Sequence, residues 1–339
     1  MKMKTKRILA GVLSVFLIAT PITANAESDS LYTYTVQNNE AIITEASAYL
    51  EGNVLIPSSL DGYAVTSIDD YAFFYCENIE SITVPKSVKR IGAYSFYGCK
   101  NIKEIIIPDS VEYIGENAFY NTDYYKNEEN WENDILYIKN HLIKAKDTLS
   151  DACEIKEGTL TVANFAFSFC EELKSVSIPE SVIAIGYNAF SYCKNLQSVT
   201  FPESVTYIGA EAFKNCTELK SVIFQNPIAW SAVDLDGNVT NLASEYLANA
   251  QTATQYLIDT YKYCFLFRTV LDDAQGDIDG VAGLNASDAI YLLYSVFFGK
   301  EQYPLNKDCD FNDDGNINAD DAIYLLYHVF FGANDYPLN

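Results

Sequence analysis

The phenylalanines of this chain recur at a fixed interval. Phe73, Phe96 and Phe119 are 23 residues apart, and so are Phe167, Phe190 and Phe213. Cys76 and Cys99 keep the same step, as do Cys170, Cys193 and Cys216. Residues 91–113 read IGAYSFYGCKNIKEIIIPDSVEY and residues 185–207 read IGYNAFSYCKNLQSVTFPESVTY, both on the frame I-G-x-x-A-F-x-x-C-x-x-L-x-x-V-x-I-P-x-S-V. One such unit cannot bury its own apolar face, so neighbours must stack and share a core. The expected fold is an α/β repeat solenoid with one short strand per 23-residue coil, such as Ser81-Ile82-Thr83-Val84 stopped by Pro85.

Phe119 and Phe167 are 48 residues apart, one period plus 25. The surplus lies near 123–160 and contains WENDILYIKNHLIKAK, which reads as strand, turn at Lys139-Asn140, strand. The expectation is a hairpin-bearing insertion that leaves the stack unbroken, within a solenoid spanning 27–227. The in-phase cysteines read as buried thiols, because free cysteine is among the most buried residue types. Disulfides between adjacent rungs are the other reading. No histidine is in phase with them, which argues against a metal site. Residues 228–268 read as the cap that closes the core, with one or two helices in 240–262, a last strand at 263–267 and a buried Cys264.

The recurrence of I-G-x-x-A-F-x-x-C and I-P-x-S-V in register resembles the leucine-rich repeats of the BspA-like surface proteins, over about residues 31–227. The resemblance implies an extracellular binding or adhesion scaffold and not an enzyme. Strand alternation puts Ser81/Thr83, Glu104/Ile106, Ser175/Ser177, Ser198/Thr200 and Ser221/Ile223 outward. That column is either a partner face or a plainly solvated sheet. The 26 tyrosines are open to a sugar-stacking reading, but most sit in the repeat frame, which favours core and rim packing.

Two features bear on location. Residues 1–26 begin with Lys2, Lys4, Lys6 and Arg7, continue through an apolar run from Ile8 to Thr20, and end in Ala24-Asn25-Ala26. This is the pattern of a cleaved secretory signal, with an uncleaved anchor as the alternative. The expected product is secreted and not inserted in a membrane after cleavage. The net charge of −24 argues against nucleic acid and anionic membranes as partners, since both require a basic face.

The C-terminal segment, 269–339, holds a second duplication. NASDAIYLLYSVFFG (285–299) aligns with NADDAIYLLYHVFFG (318–332), and each follows a twelve-residue acidic loop. In the second loop Asp310, Asn312, Asp314, Asn318 and Asp321 place oxygens at positions 1, 3, 5, 9 and 12, Gly315 takes the tight turn, and Asn316 offers its carbonyl. That spacing suits Ca2+, which takes six to eight oxygens around such a loop. The first loop keeps Asp277, Asp279, Asn285 and Asp288, with Gly283 at the carbonyl position, but has Val281 where an oxygen belongs, which weakens the site. The helices are apolar nearly all round, and a module this small cannot enclose them, so an apolar patch is left for a partner.

Two such loop-helix units resemble a type I dockerin, a small all-α calcium-binding domain. The resemblance implies calcium-dependent docking onto a cohesin module of a scaffoldin in a cellulosome-type complex. By the same resemblance Ala286, Ser287, Leu293, Tyr294 and Phe298, or Ala319, Asp320, Leu326, Tyr327 and Phe331, face cohesin. The chain has only two histidines, His141 and His328, and no apparent Ser/His/Asp set, zincin motif or phosphate loop. The expected function is therefore a secreted, non-catalytic binding protein. The alternatives are a free cell-surface adhesin with a structural dockerin-like tail, and a cryptic polysaccharide-active hydrolase.

Overall fold

The computed structural model describes residues 27–28, 31–149 and 151–268. The expected export signal and the expected calcium loops lie outside them. All described residues belong to the compact unit that ends at Arg268.

Each coil contributes two strands, not the expected one. Gly52–Leu55, Ile79–Thr83 and Glu104–Ile106 pair in parallel on one side of the core. Tyr63–Ile68, Arg90–Ile91 and Tyr113–Ile114 do the same on the other. The second block repeats this with Asp151–Glu154, Leu173–Ser177, Ser198–Phe201 and Ser221–Phe224. Its opposite side carries Thr161–Val162, Ala184–Ile185 and Tyr207–Ile208. The repeat coils between these strands contain no helix, so the solenoid is mostly sheet and the expected α/β class is corrected. The backbone gives the reason. The stretch I-G-x-x-A-F-x-x-C takes left-handed φ twice per coil, at Tyr71 and Tyr75 in the first (63° and 57°) and at Tyr94 and Gly98 in the next (55° and 74°). A right-handed helix cannot pass through such residues.

The interior is laddered at the strand spacing of about 4.8 Å. Phe73 stacks on Phe96 and Phe96 on Phe119, with centroids 4.7 and 5.4 Å apart. Phe167, Phe190 and Phe213 stack at 4.8 and 5.2 Å. The described cysteines are free thiols, and those in phase with the repeat bond to the coil below: Cys99 Sγ donates to the Phe73 carbonyl at 2.9 Å, Cys193 to Phe167 at 3.2 Å and Cys216 to Phe190 at 3.1 Å. Burial pushes the Cys76 and Cys170 thiols up to about 11 and those of Cys153 and Cys216 to about 12, so they stay protonated.

The hairpin Ile135–Ile138 with His141–Ala145 forms as expected, but it does not leave the stack intact. Both strand ladders end at the third coil and restart beyond it. Side chains alternate across a strand. Leu136, Ile138 and Ile143 enter the core of the first block, while Ile135, Tyr137, Leu142 and Ala145 enter that of the second. The hairpin is thus a wall with two dry faces.

The cap differs from expectation in detail. Trp230–Val233 and Val239–Asn241 pair antiparallel before the short helices Ser244–Leu247 and Ala250–Gln255. Thr254 Oγ1 in the second helix accepts the Val222 N–H at 2.9 Å and covers that edge strand. Phe265–Arg268 runs antiparallel to Tyr207–Ile208 and closes the other edge. Cys264 is half-buried, not buried, because it lies in the turn just before that strand.

The glycine of I-G is required by the stacking. A Cβ on Gly209 would stand 2.3 Å from the Tyr187 nitrogen of the coil below, and one on Gly115 would stand 2.3 Å from that of Ala93. Gly209→Ala is expected to destabilise the protein by about 1–3 kcal/mol, the range for overpacking. Denaturant unfolding checks this, and an unchanged midpoint would show that the coils can separate freely.

Candidate binding surface

The strand face that the alternation points outward is exposed as expected. Glu104, Ser175, Ser177 and Ser198 are exposed, and Ser81, Thr83, Thr200 and Ser221 are half-buried. The column is uneven. In the first block it carries Leu55 and Ile106, 73% and 48% exposed, whereas in the second it is mainly hydroxyl, with Ile223 at the end. Ser81 Oγ donates to Asn53 Oδ1 at 2.7 Å, so part of the hydroxyl column is engaged with itself.

A second surface was not foreseen. The turns between the strands bear an aromatic rib, in which Tyr71, Phe74, Tyr75, Tyr120 and Phe169 are 42–54% exposed. Its rings stack from coil to coil: Tyr71 on Tyr94 at 5.1 Å and 3°, Phe74 on Tyr97 at 5.4 Å, Tyr97 on Tyr120 at 5.5 Å and Phe169 on Tyr192 at 4.7 Å. Stacking covers ring faces and turns edges outward. That arrangement suits edge contacts and phenol hydrogen bonds better than face-on stacking of a sugar.

Six aromatics of this rib, Tyr71, Tyr75, Tyr94, Phe165, Phe169 and Tyr192, sit at φ of 55–68°. For a bulky residue that region costs about 1–2 kcal/mol. The same two places in other coils hold Gly98, Asn117, Asn121, Asn188 and Asn215, residue types that tolerate it, and Glu211 at 56°. This mixture at two phases of the repeat is the signal that sequence reading passed over.

His141 lies at the wall between the blocks, fully buried. Its Nε2 is 3.2 Å from the Pro108 carbonyl of the first block, and its Nδ1 is 2.9 Å from Thr161 Oγ1 of the second. The partners select the neutral Nε2–H tautomer, which donates to Pro108 and accepts from Thr161. Burial lowers its pKa to about 4, against the opposing effects of the Pro108 carbonyl and Asp109. Among the described residues, no group of three or more His, Cys, Asp and Glu is placed to hold a metal ion, and no helix is long and apolar enough to cross a membrane. The residues expected to bind calcium, from Asp277 to Asp288 and from Asp310 to Asp321, and those expected to face cohesin, from Ala286 to Phe298 and from Ala319 to Phe331, fall outside the described residues.

A family model described as BspA type Leucine rich repeat region matches in six copies, over residues 66–152 and 137–232. The repeat region of this chain belongs to the BspA-type leucine-rich repeats. Solved structures similar to the chain include a leucine-rich cell surface protein from Faecalibacterium prausnitzii, at 24% identity over 64% of this chain and 60% of that one, with a TM-score of 0.34. A leucine-rich repeat protein of T. pallidum is 25% identical over 58% of this chain and 71% of its own, with a TM-score of 0.28. One from Bacteroides ovatus is 22% identical over 58% and 70%, with a TM-score of 0.31. With TM-scores this low, the family assignment rests on the repeat match. The chain spans 60% of the first of these proteins. No curated protein matches the chain.

Two outcomes follow for the BspA-type region. Unfolded, His141 titrates near 6.5; folded, it titrates near 4, so the unfolded chain binds the extra proton between these values. Its contribution is whole above pH 6.5 and is lost as pH falls toward 4, by about 3 kcal/mol at about 1.4 kcal/mol per unit. The stability gap between the protein and His141→Gln should narrow over that window, and a gap that stays constant would contradict the buried neutral imidazole. Tyr75→Asn trades a ring contact for relief of backbone strain. It should change the unfolding free energy by less than about 1 kcal/mol; a loss near the ~3–5 kcal/mol of a core Phe→Ala would make the rib part of the core.

Proposed function

We propose that this protein is exported, is non-catalytic, and displays its BspA-type solenoid as a protein-binding or adhesive surface. The observation that carries this reading is the aromatic rib, in which exposed rings are kept at backbone positions where Asn or Gly would cost less. Strain at exposed positions points to a use outside the fold. The basic-apolar-small pattern of residues 1–26 supports export.

The tail adds docking to this reading: calcium-dependent binding of a cohesin module on a scaffoldin. The near-identity of segments 285–299 and 318–332 supports it, together with the all-oxygen donor set of the second loop. A hard divalent cation takes such donors. Asp310, Asn312, Asp314, Asn316, Asn318 and Asp321 would hold one Ca2+, and Asp277, Asp279, Gly283, Asn285 and Asp288 a weaker second. A free adhesin is the competing reading, favoured by the rib and strand column, whose exposure needs no tail.

The test screens the full chain, after signal removal, against a panel of cohesins with calcium and then with chelator. Binding that is lost on chelation and on Asp310→Ala is expected. Tyr294→Ala with Phe298→Ala should leave affinity nearly intact, because Tyr327 and Phe331 offer the same face by the internal duplication. Calcium uptake without binding to any cohesin would favour the free adhesin.

A further inference from the structure

The chain offers an oxidant few of the side chains that are usually attacked first. After Met3 it contains no methionine. Its described thiols are buried, save the half-buried Cys264 of the cap. A buried, protonated thiol is a weak target. The exposed oxidisable groups of the first block are instead the phenols of the aromatic rib, Tyr71, Tyr75 and Tyr120 among them.

Two of these phenols form a pair unlike the others. Tyr71 and Tyr94 occupy the same phase in adjacent coils, where other coils hold Asn117, Phe165, Asn188 and Glu211. The Tyr71 N–H donates to the Ala93 carbonyl at 2.9 Å and so fixes the two backbones one rung apart. The rings are parallel within 3°, with centroids 5.1 Å apart. Both keep left-handed φ, 63° and 55°, so the strain that Asn would relieve is borne in two consecutive coils. Tyr94 Oη donates to Glu116 Oε1 at 3.0 Å, and among the described residues no other rib phenol bonds a carboxylate. Asn117 Nδ2 donates to the same carboxylate oxygen at 3.0 Å and holds it in place. A phenol gives up an electron readily only when its proton can leave with it. The carboxylate therefore makes Tyr94 the most easily oxidised ring of the rib. Rings lead to it in near-contact steps: Trp131, Tyr125, Tyr120, Tyr97 and Tyr94 follow one another at 5.3, 5.0, 5.5 and 5.6 Å.

We propose that Tyr71 and Tyr94 are an oxidative cross-linking site, joined ring to ring as dityrosine by a one-electron oxidant of the kind a peroxidase makes from hydrogen peroxide. Each phenol loses one electron and one proton. The Tyr94 proton passes to Glu116, and that of Tyr71 to water. The two radicals then form a carbon–carbon bond between positions ortho to their hydroxyls. Each of those carbons releases its hydrogen as a proton, and each oxygen regains one. In sum, two phenols and one hydrogen peroxide give one linked pair and two waters. Stacked rings must turn to make this bond, and Tyr71, 54% exposed, has room to do so. The product is a covalent staple across one 23-residue period, which constrains the unfolded chain as a disulfide does. This goes beyond the binding reading of the solenoid and holds or fails whether or not the rib or the tail has a partner.

The test treats the full chain, after signal removal and in dilute solution, with hydrogen peroxide and a peroxidase. Dityrosine fluorescence should appear in the monomer fraction. A peptide map should show the peptides of Tyr71 and Tyr94 linked and short of two hydrogens. Tyr71→Phe and Tyr94→Phe keep the stacked ring and should each abolish that species, while Tyr120→Phe leaves it. Glu116→Gln should slow its formation by about tenfold or more, the loss of a positioned proton acceptor. The linked monomer should unfold at higher denaturant than the untreated protein. An unchanged linked species in Tyr94→Phe, dityrosine only between molecules, or an equal yield from the urea-unfolded chain overturns the proposal. An unchanged rate in Glu116→Gln overturns the proton route.

Discussion

The close approach of one coil's backbone to the next governs the rest of this molecule. At Gly92, Gly115, Gly186 and Gly209 an added Cβ would stand 2.3–2.6 Å from a backbone nitrogen of the coil below. That approach brings successive turns to the spacing at which phenylalanines stack and cysteine thiols reach the carbonyls beneath them. Only parallel copies of one turn, displaced by one rung, satisfy all of these at once. The period of 23 is the sequence record of that displacement.

Where the approach is relaxed, the structure changes character. Asp69 and Ala163 hold the glycine's place in the first coil of each block, and beneath each lies a hairpin strand in place of a repeat turn. The missing glycines therefore mark the block starts. Between the blocks, side-chain packing on both faces of the hairpin replaces the ladder, and His141 joins Pro108 to Thr161 across the wall. A two-faced apolar wall keeps two cores dry without transmitting the ladder.

Much of this was legible in the residues. The period, the hairpin about Lys139-Asn140 and the outward pairs follow from spacing and alternation. The second strand of each coil was not legible, since two residues such as Arg90–Ile91 are too few to show a period. The aromatic rib was hidden because Tyr71 and Tyr75 belong to types that strands favour, and only their left-handed backbone shows them to be turn residues.

By itself, then, the sequence determined that identical turns stack, which side chains line the core and where the stack is interrupted, because these depend on residue type at a fixed phase. It also carries the C-terminal duplication, whose spacing of oxygen-bearing residues is a local property of the chain. Tertiary structure alone decided that the interruption divides one core into two and that each face of the hairpin closes a different one. That outcome depends on which segment packs against each face, and a hairpin with apolar residues on both faces reads the same in the sequence whether it joins two cores or separates them.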